Sequence, residues 1–245
     1  METTCDGILN RRVTIEQPAK GYRVAVDTIL LAAAVPAKAG EKALDLGCGV
    51  GGAMLALACR VPRLFVTGVE IQSELAELCR RNIMRNKFED RMSVINADLL
   101  IPDTCPLPSD FDHVLMNPPY HDQTRHDVSA VESKRIANTE KKGDLAQWIG
   151  RAAQALKPIG TLTLIHRADR LDDILNHIRN LFGDAEILPI LPLAGTPPKR
   201  VILRAYKGKM GAPKHFPGFV LHQTDSRYTD AAESILRHAK ALEFR

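Results

Sequence analysis

The sequence predicts an α/β protein of the Rossmann-like type: a seven-stranded, mostly parallel sheet with the last strand antiparallel and helices on both faces. Three observations indicate this fold. From residue 41 onward, apolar strand-like segments alternate with helix-like segments, as in repeated strand–helix–strand units. A glycine-rich turn joins the first of these strands to the first helix. The last two strands are separated only by a short proline-rich loop, so we expect them to pair antiparallel.

The predicted elements follow one another without an internal repeat. The strands are predicted at residues 42–47, 63–70, 92–98, 113–117, 160–166, 185–191 and 200–207. Helices are predicted at 51–61, 73–87, 144–157 and 169–181. The helix from Ser73 carries Glu74 and Glu77 in its first turns and arginines near its end, which suits the helix dipole.

The whole chain, 1–245, is interpreted as a single domain, because 245 residues suit one compact core. Residues 1–40 are expected to add a hairpin near 7–15 and a helix near 27–34. Residues 209–245 are expected to add a tail with an amphipathic helix from about Asp230. Both terminal segments are interpreted as appendages of this domain.

The composition argues against several classes of protein. No apolar run approaches the ~20 residues that a membrane span requires, and residues 1–12 lack the charged-then-apolar order of a signal peptide. The five cysteines are scattered and form no CxxC pair, which favours a reducing cytoplasm over a disulfide framework or a zinc site. The formal net charge of +4 is a weak sign of an anionic partner.

The turn after the first strand, "LDLGCGVGG" at 44–52, is a candidate ligand loop. Gly47, Gly49 and Gly51 give the pattern DxGxGxG, which resembles the fingerprint of S-adenosyl-L-methionine methyltransferases. Gly47, Gly49 and Gly52 also satisfy GxGxxG, the dinucleotide fingerprint. Both ligands need glycine because a Cβ would block the turn and the close approach of the ligand. The loop alone therefore does not choose between them.

Acidic residues at strand ends favour the first ligand. Asp45 would repel a pyrophosphate but suits a ligand with a cationic amino group. Glu70, at the end of the second strand, can hydrogen-bond ribose hydroxyls in either case. Asp98, at the end of the third strand, can accept a hydrogen bond from an adenine amino group, or it can simply cap the following turn.

The N-terminal segment adds one candidate, Arg23, to the cofactor site. Its guanidinium can hold the carboxylate of the cofactor's methionine group, or it can pair with Asp27 one helical turn away. The predicted cofactor-binding residues are Asp45, Gly47, Cys48, Gly49, Gly51, Glu70, Ile71, Ala97, Asp98, Asn117 and Arg23.

The predicted catalytic residues, Asn117, Pro118, Pro119 and Tyr120, end the fourth strand. An exocyclic amino nitrogen is a poor nucleophile, because its lone pair is delocalised into the ring. Two acceptors aimed at its N–H groups, the Asn117 amide oxygen and the Pro118 carbonyl, would favour the geometry in which that lone pair faces a sulfonium methyl. Tyr120 offers a face for stacking a planar base or amide. The sequence therefore predicts an amino-group methyltransferase, with no metal required.

Several blocks then resemble one family across nearly the whole chain. They are "DGILNRRVTIEQPAKGYRVAVDTILLAAAVPA", "LDLGCGVGG", "NADLL", "MNPPY" and "LTLIHRADRLDDIL". They look like the bacterial tRNA(Val) adenine-N6 methyltransferase group. The resemblance implies a class I methyltransferase fold, S-adenosyl-L-methionine as cofactor, and methylation of the adenosine immediately 3′ of the anticodon in tRNA.

An RNA substrate would need basic contacts. Lys134 and Arg135 lie in a polar segment just after the catalytic motif, and Arg11 and Arg12 lie in the N-terminal hairpin. We expect these four to contact RNA phosphates if they share the face of the site, and otherwise to be solvated surface charges. Trp148, in an apolar helical stretch, is interpreted as a core residue and not as a stacking platform.

Other functions share parts of this pattern. Release-factor glutamine-N5 methyltransferases use NPPY on an amide, but they carry a helical domain ahead of the glycine loop, and about forty residues precede Asp45 here. DNA adenine methyltransferases ordinarily need a target-recognition insertion, and none is evident. The NPPY motif alone does not distinguish a ribosomal RNA guanine-N2 methyltransferase from an adenine-N6 methyltransferase. A catalytically silent RNA-binding module is the non-enzymatic alternative, and a degraded motif would have favoured it.

Overall fold

The computed structural model describes residues 1–21, 23–119, 121–122, 139–140 and 144–245. The strands are, in chain order, β1 (Thr3–Ile8), β2 (Val13–Pro18), β3 (Lys42–Leu46), β4 (Phe65–Glu70), β5 (Met92–Asn96), β6 (Phe111–Met116), β7 (His121–Asp122), β8 (Thr139–Glu140), β9 (Leu156–Arg167), β10 (Phe182–Leu191), β11 (Arg200–Lys207), β12 (Lys214–His215) and β13 (Phe219–Val220). The α-helices are α1 (Val26–Ala34), α2 (Gly52–Arg60), α3 (Ser73–Arg85), α4 (Asp144–Ala155), α5 (Leu171–Ile178) and α6 (Asp230–Leu236).

The main sheet has the predicted strand content. Its central order is β10-β11-β9-β6-β3-β4-β5. Strands β5, β4, β3, β6 and β9 are parallel to one another, and β11 is antiparallel to both β9 and β10. The predicted seven-stranded, mostly parallel sheet with its last strand antiparallel is therefore confirmed. Two short strands, β12 and β13, extend the β10 edge, and their two-residue length gave no pattern in the sequence.

Some predicted element boundaries differ from the structure. The strand predicted from residue 63 begins at Phe65, because Arg63 has a left-handed φ of 62° that no strand accommodates. The strand predicted at 160–166 begins earlier and runs from Leu156 to Arg167. The helix predicted at 169–181 is a 3₁₀ turn at Ala168–Arg170 followed by α5, which ends at Ile178.

The sheet is covered on both faces by helices, which gives two apolar layers. One layer packs α1, α2 and α3 against one face through residues such as Leu30, Met54 and Leu78. The other packs α4 and α5 against the opposite face through residues such as Ile149 and Ile174. This arrangement matches the predicted helices on both faces.

The terminal segments are part of the first layer and are not merely attached to its outside. Val13 and Ile15 of the hairpin and Ile235 and Leu242 of the tail are buried in the same cluster as α1. Asn82 on α3 holds the hairpin: its Oδ1 accepts the Glu16 N–H at 2.7 Å, and its Nδ2 donates to the Glu16 carbonyl at 2.8 Å. The interpretation as appendages underestimated this packing.

Candidate active site

The functional residues meet at the carboxyl edge of the parallel strands, where ligands bind in sheets of this type. Met116 at the end of β6 pairs with Leu46 at the end of β3, and Leu46 pairs with Val69 on β4. The residues that follow these three, Asn117, Gly47 and Glu70, therefore stand at the ends of neighbouring strands, which are spaced about 4.8 Å apart. The register places the start of the predicted catalytic motif directly beside the glycine loop.

Three of the loop's glycines are glycine because the protein packs against them. A Cβ on Gly47 would lie 2.5 Å from Cη2 of Trp148, and one on Gly51 would lie 2.8 Å from Sγ of Cys79. A Cβ on Gly52 would lie 2.6 Å from Val24, which immediately follows Arg23. These distances are shorter than a Cβ atom tolerates, so Trp148, Cys79 and Val24 pack directly against the backbone of the loop.

Gly49 differs from the other three glycines. Its φ is 55°, and nothing lies within 4 Å of the position that a Cβ would take. Its backbone N–H donates to Oε2 of Glu70 at 2.9 Å. The open space beside Gly49 is therefore the side from which a ligand can approach the loop closely.

Glu70 is committed to the backbone on both oxygens. Besides the Gly49 N–H, its Oε1 accepts the N–H of Gln72 at 2.8 Å. Only 5% of its surface is exposed, and this burial raises the pKa of Glu70 above its usual value, although the two backbone hydrogen bonds oppose the shift. Each carboxylate oxygen has a second lone pair, so Glu70 can still accept hydrogen bonds from a ribose.

Asp45 is a buried acid with an unused acceptor. Its side chain is 3% exposed, and Oδ2 has no hydrogen-bond partner. Burial, with a smaller contribution from the charge of Glu70, raises the pKa of Asp45 from its usual 3.8 to about 8. A cationic ligand would stabilise the ionised form, so this orphaned oxygen fits the ammonium group of an amino-acid cofactor.

The remaining predicted cofactor residues divide between surface and interior. Ile71 is 53% exposed beside the site, and the Ala97 N–H donates to the Glu70 carbonyl at 3.1 Å. Asp98 Oδ1 accepts the Leu100 N–H at 2.9 Å, so the turn-capping interpretation is confirmed for that oxygen. The Cys48 side chain points inward, with Sγ 2.6 Å from the Cβ position of Gly68, which leaves only its backbone to face a ligand.

The catalytic motif is only partly described. Asn117 is half-buried, Pro118 is buried and Pro119 is half-buried, all directly after β6. Tyr120, Lys134 and Arg135 lie outside the described residues. Asn117 therefore carries the structural evidence for the motif, through its place beside Gly47.

The contacts of Arg23 differ from the predicted ion pair. Its Nη2 bonds Asp6 Oδ2 at 2.8 Å, and its Nη1 donates to Thr4 Oγ1 and to the Pro18 carbonyl, both at 3.0 Å. Asp27 pairs instead with Arg200, Nε to Oδ2, at 2.8 Å. The alternative of an Arg23–Asp27 pair is therefore wrong, because the guanidinium turns back to the hairpin.

The Arg11 and Arg12 turn lies away from the glycine loop. Nη1 of Arg12 donates to the His238 carbonyl at 3.2 Å, and the charge of Arg12 acts on Cys59 in the last turn of α2. The glycine loop lies at the opposite end of that nine-residue helix, about 13 Å away. The structure therefore does not bring Arg11 and Arg12 to the predicted catalytic residues.

Sequence reasoning missed the contact of Trp148 with the loop. Trp148 is 9% exposed and belongs to the core layer, as predicted, but its ring also lies against Gly47. It also missed Arg167 at the end of β9, whose backbone lies opposite that of Arg200 on β11. Within the described ranges, no cluster of side chains could hold a metal ion, and no helix is long and apolar enough to cross a membrane.

Comparison with known proteins gives the family. A family model described as "Methyltransferase small domain" matches residues 22–189. A tRNA1(Val) (adenine(37)-N6)-methyltransferase from Porphyromonas gingivalis is 34% identical over 170 residues, covering 67% of this chain and 66% of that protein. The chain thus spans just under two thirds of that relative's length. A protein of the same name from Shewanella baltica is 25% identical over 225 residues, covering 89% of this chain and 91% of that protein.

A solved structure is similar over most of the chain. It is described as a predicted O-methyltransferase from Agrobacterium tumefaciens, has a TM-score of 0.75 and 27% identity, and the match covers 89% of this chain and 99% of that one. The fold is therefore that of class I methyltransferases. Because the family model spans well over half of the residues, the chain belongs to the methyltransferase small domain family.

Proposed function

We propose that this protein methylates N6 of an adenosine in tRNA, the one immediately 3′ of the anticodon. The observation that carries the proposal is the position of Asn117 beside Gly47, which puts an amino-group acceptor next to the cofactor loop. The names of the Porphyromonas and Shewanella relatives support adenine as the base and tRNA as the substrate. When bound, S-adenosyl-L-methionine supplies an electrophilic methyl group on a sulfonium.

The chemistry proposed for this chain is positioning. The Asn117 Oδ1 accepts a hydrogen bond from one N6 N–H group, and the Pro118 carbonyl accepts one from the other, so the nitrogen lone pair is directed toward the methyl group. The methyl group would pass from the cofactor's sulfur to N6, the sulfur would leave as a neutral thioether, and one N6 proton would leave to solvent. Tyr120 supplies the stacking face, and Pro119 stiffens the backbone between the acceptors and the ring. No protein base is needed before attack.

The proposed cofactor contacts follow from the site's geometry. Asp45 would hold the ammonium group, and the close approach would occur at Gly49, with Gly47, Cys48 and Gly51 contributing backbone. Glu70 would bond the ribose hydroxyls and Asp98 the adenine amino group. The exposed Ile71 side chain, with Ala97, would flank the adenine ring. Arg23 would hold the methionine carboxylate only if its guanidinium exchanged one of its hairpin contacts for the ligand.

Basic residues near the carboxyl edge would bind the RNA backbone. Strand β9 continues three residues beyond Leu164, the partner of Met116, as far as Arg167, which is about 10 Å. The backbone of Arg167 lies opposite that of Arg200 in the sheet. Lys199, which precedes Arg200, is exposed. We assign phosphate contacts to this cluster and to Lys134 and Arg135. Arg11 and Arg12 would take part only if the RNA also passed the far end of α2.

We further propose that residues 1–245 act as one methyltransferase domain and that the enzyme works in the cytoplasm, where tRNA is its partner. The shared core of both termini with α1 supports the first part. The alternative of a silent RNA-binding module receives no support, because the glycine loop and Asn117 are both retained.

Radiolabelled methyl transfer to tRNA, rRNA, DNA and release factor, measured in parallel, tests the proposal. We expect label in tRNA, recovered as N6-methyladenosine after nuclease digestion and mass spectrometry. An Asn117→Ala enzyme serves as the control for contaminating activity. Label found only in rRNA or only in release factor would show that this molecule, and not tRNA, is the substrate. No label in any of the four would contradict the proposed activity.

A further inference from the structure

We infer that Trp148 is a positioning residue for the cofactor: its indole fixes the first glycine of the loop in the conformation that binds S-adenosyl-L-methionine. The indole contacts the loop at Gly47. A Cβ at Gly47 would lie 2.5 Å from Cη2 and 3.1 Å from Cζ3 of the indole, so the ring edge fills the space that a side chain would need. The third-nearest heavy atom is Cζ2 of the same ring, so the three atoms nearest to that Cβ position all belong to the indole.

The backbone of Gly47 explains why this contact matters. Its φ is 70°, in the left-handed region, and its N–H and that of Cys48 both donate to the Val69 carbonyl, at 2.9 and 3.0 Å. These two hydrogen bonds tie the start of the loop to the neighbouring strand β4. The indole packs against the same glycine, and a ring in van der Waals contact resists displacement of the backbone toward it.

Trp148 also connects the two halves of the active site. It lies near the start of α4, and its layer of the core includes Leu46 and Met116, the last residues of β3 and β6. Gly47 and Asn117 follow directly after those two residues. The indole thus contacts the loop proposed to bind the cofactor and belongs to the same core layer as the strand end that precedes Asn117.

A purely structural role would also bury Trp148, so the test needs a matched control. Ile149 is its neighbour on α4, is fully buried in the same layer, and lies at none of the close approaches to the glycine loop. Ile149→Ala should therefore reduce thermal stability without changing cofactor affinity. Trp148→Phe keeps an aromatic ring, whereas Trp148→Leu keeps only apolar bulk.

The first measurement is calorimetric affinity for S-adenosyl-L-homocysteine, together with kcat and the KM for the methyl donor. For Trp148→Leu we expect Kd and KM to rise about ten-fold, with kcat at saturating donor within about two-fold of wild type. Trp148→Phe should recover most of the affinity. If Ile149→Ala, matched in melting temperature, weakened binding as much as Trp148→Leu, or if Trp148→Leu left Kd unchanged, the positioning role would be overturned.

The second measurement uses the contact itself. Gly47→Ala should weaken binding strongly, since the new methyl group strains a left-handed residue and meets the indole. In a Trp148→Ala background the same change should cost less, because the ring is gone. Additive losses in the double variant would show that the indole does not set the space at Gly47.

The third measurement needs no substitution. Trp148 is the only tryptophan of the chain, so intrinsic emission reports this position alone. Titration with S-adenosyl-L-homocysteine should change the emission with the Kd found by calorimetry. The inference would be refuted by two results together: wild-type emission that stays constant at saturating S-adenosyl-L-homocysteine, and a Trp148→Leu variant with the same Kd as wild type. None of these readouts depends on the RNA substrate, so the proposed tRNA activity and this inference can fail separately.

Discussion

The Gly49 N–H donates to Glu70 Oε2 at 2.9 Å, so the glycine that has open space beside it in the glycine loop is tied to the acid that ends the neighbouring strand. Glu70 therefore has two tasks: it holds the loop in place and it can receive the ribose of the cofactor. A change at Glu70 disturbs both.

We expect Glu70→Ala to raise the Kd for S-adenosyl-L-methionine by about ten- to a hundred-fold, because hydrogen bonds from an ionised group are lost, about 1.5–3 kcal/mol. Glu70→Gln keeps an acceptor for the Gly49 N–H and should lose less. Calorimetry on the three proteins provides the comparison. An unchanged Kd in Glu70→Ala would remove Glu70 from the ribose site.

Asn117→Ala should abolish methyl transfer and leave cofactor affinity within a few-fold of wild type. Its amide follows β6 and is proposed to accept a hydrogen bond from the substrate and not from the cofactor. Rates under saturating donor and a separate binding isotherm test both halves. Loss of cofactor binding together with activity would move Asn117 into the cofactor site.

Cofactor binding should release a proton at pH 7. Burial keeps Asp45 protonated in the free protein, with its pKa raised to about 8, and a bound ammonium group would favour the carboxylate. Calorimetric enthalpies in two buffers of different ionisation enthalpy give the number of protons released. Asp45→Asn should abolish the release, and equal enthalpies in both buffers for wild type would contradict the ammonium contact.

The same residue predicts a pH effect on the stability of the free protein. Because the folded pKa lies above the unfolded value of 3.8, the native state binds an extra proton between about pH 4 and 8, and stability is lost as pH rises through that range. Asp45→Asn removes this dependence. Unfolding free energies at pH 5 and pH 8 should therefore show the variant gaining on wild type at the higher pH. A gap that does not grow would mean that Asp45 is already ionised.

The tRNA affinity of wild type should fall steeply as salt rises, since phosphate contacts release counterions. Charge reversal at Lys134 and Arg135, or at Lys199, should weaken RNA binding and leave cofactor binding intact. Arg11→Glu with Arg12→Glu offers a comparison from the far end of α2. A flat salt response in wild type would argue against a polyanion, and loss confined to the Arg11 and Arg12 variant would move the RNA to the other side.

Asn82→Ala should lower the free energy of unfolding by about 2–4 kcal/mol, because it leaves buried backbone groups without partners. Its Nδ2 donates to the carbonyls of Glu16 and Val50, at 2.8 and 3.0 Å, and so joins the hairpin to the glycine loop. Chemical denaturation measures the effect. Asn86→Ala, on the half-buried next turn, should cost less, and equal losses would weaken the argument from burial.

The strand-end residues were predictable because their place follows from chain order alone. Asp45, Glu70, Asp98 and Asn117 each stand at or just past the end of an apolar segment, and parallel strands bring such ends to one edge. The contacts of Trp148 and Arg23 were not predictable. Helical periodicity placed Trp148 in the core, but which part of the ring meets Gly47 depends on the rotation of α4 against a loop a hundred residues away.

The packing of the tail onto α1 has a consequence for biosynthesis. The Leu242 N–H donates to the Ala33 carbonyl at 2.9 Å, and the guanidinium of Arg204 lies 4.3 Å from the Phe244 ring centroid. Residues 230–244 leave the ribosome after every strand of the sheet, so a nascent chain carries α1 with part of its apolar surface uncovered until these residues have emerged. Chaperones should therefore engage the growing polypeptide, and prematurely terminated products lacking these residues should be preferred targets of cellular proteases.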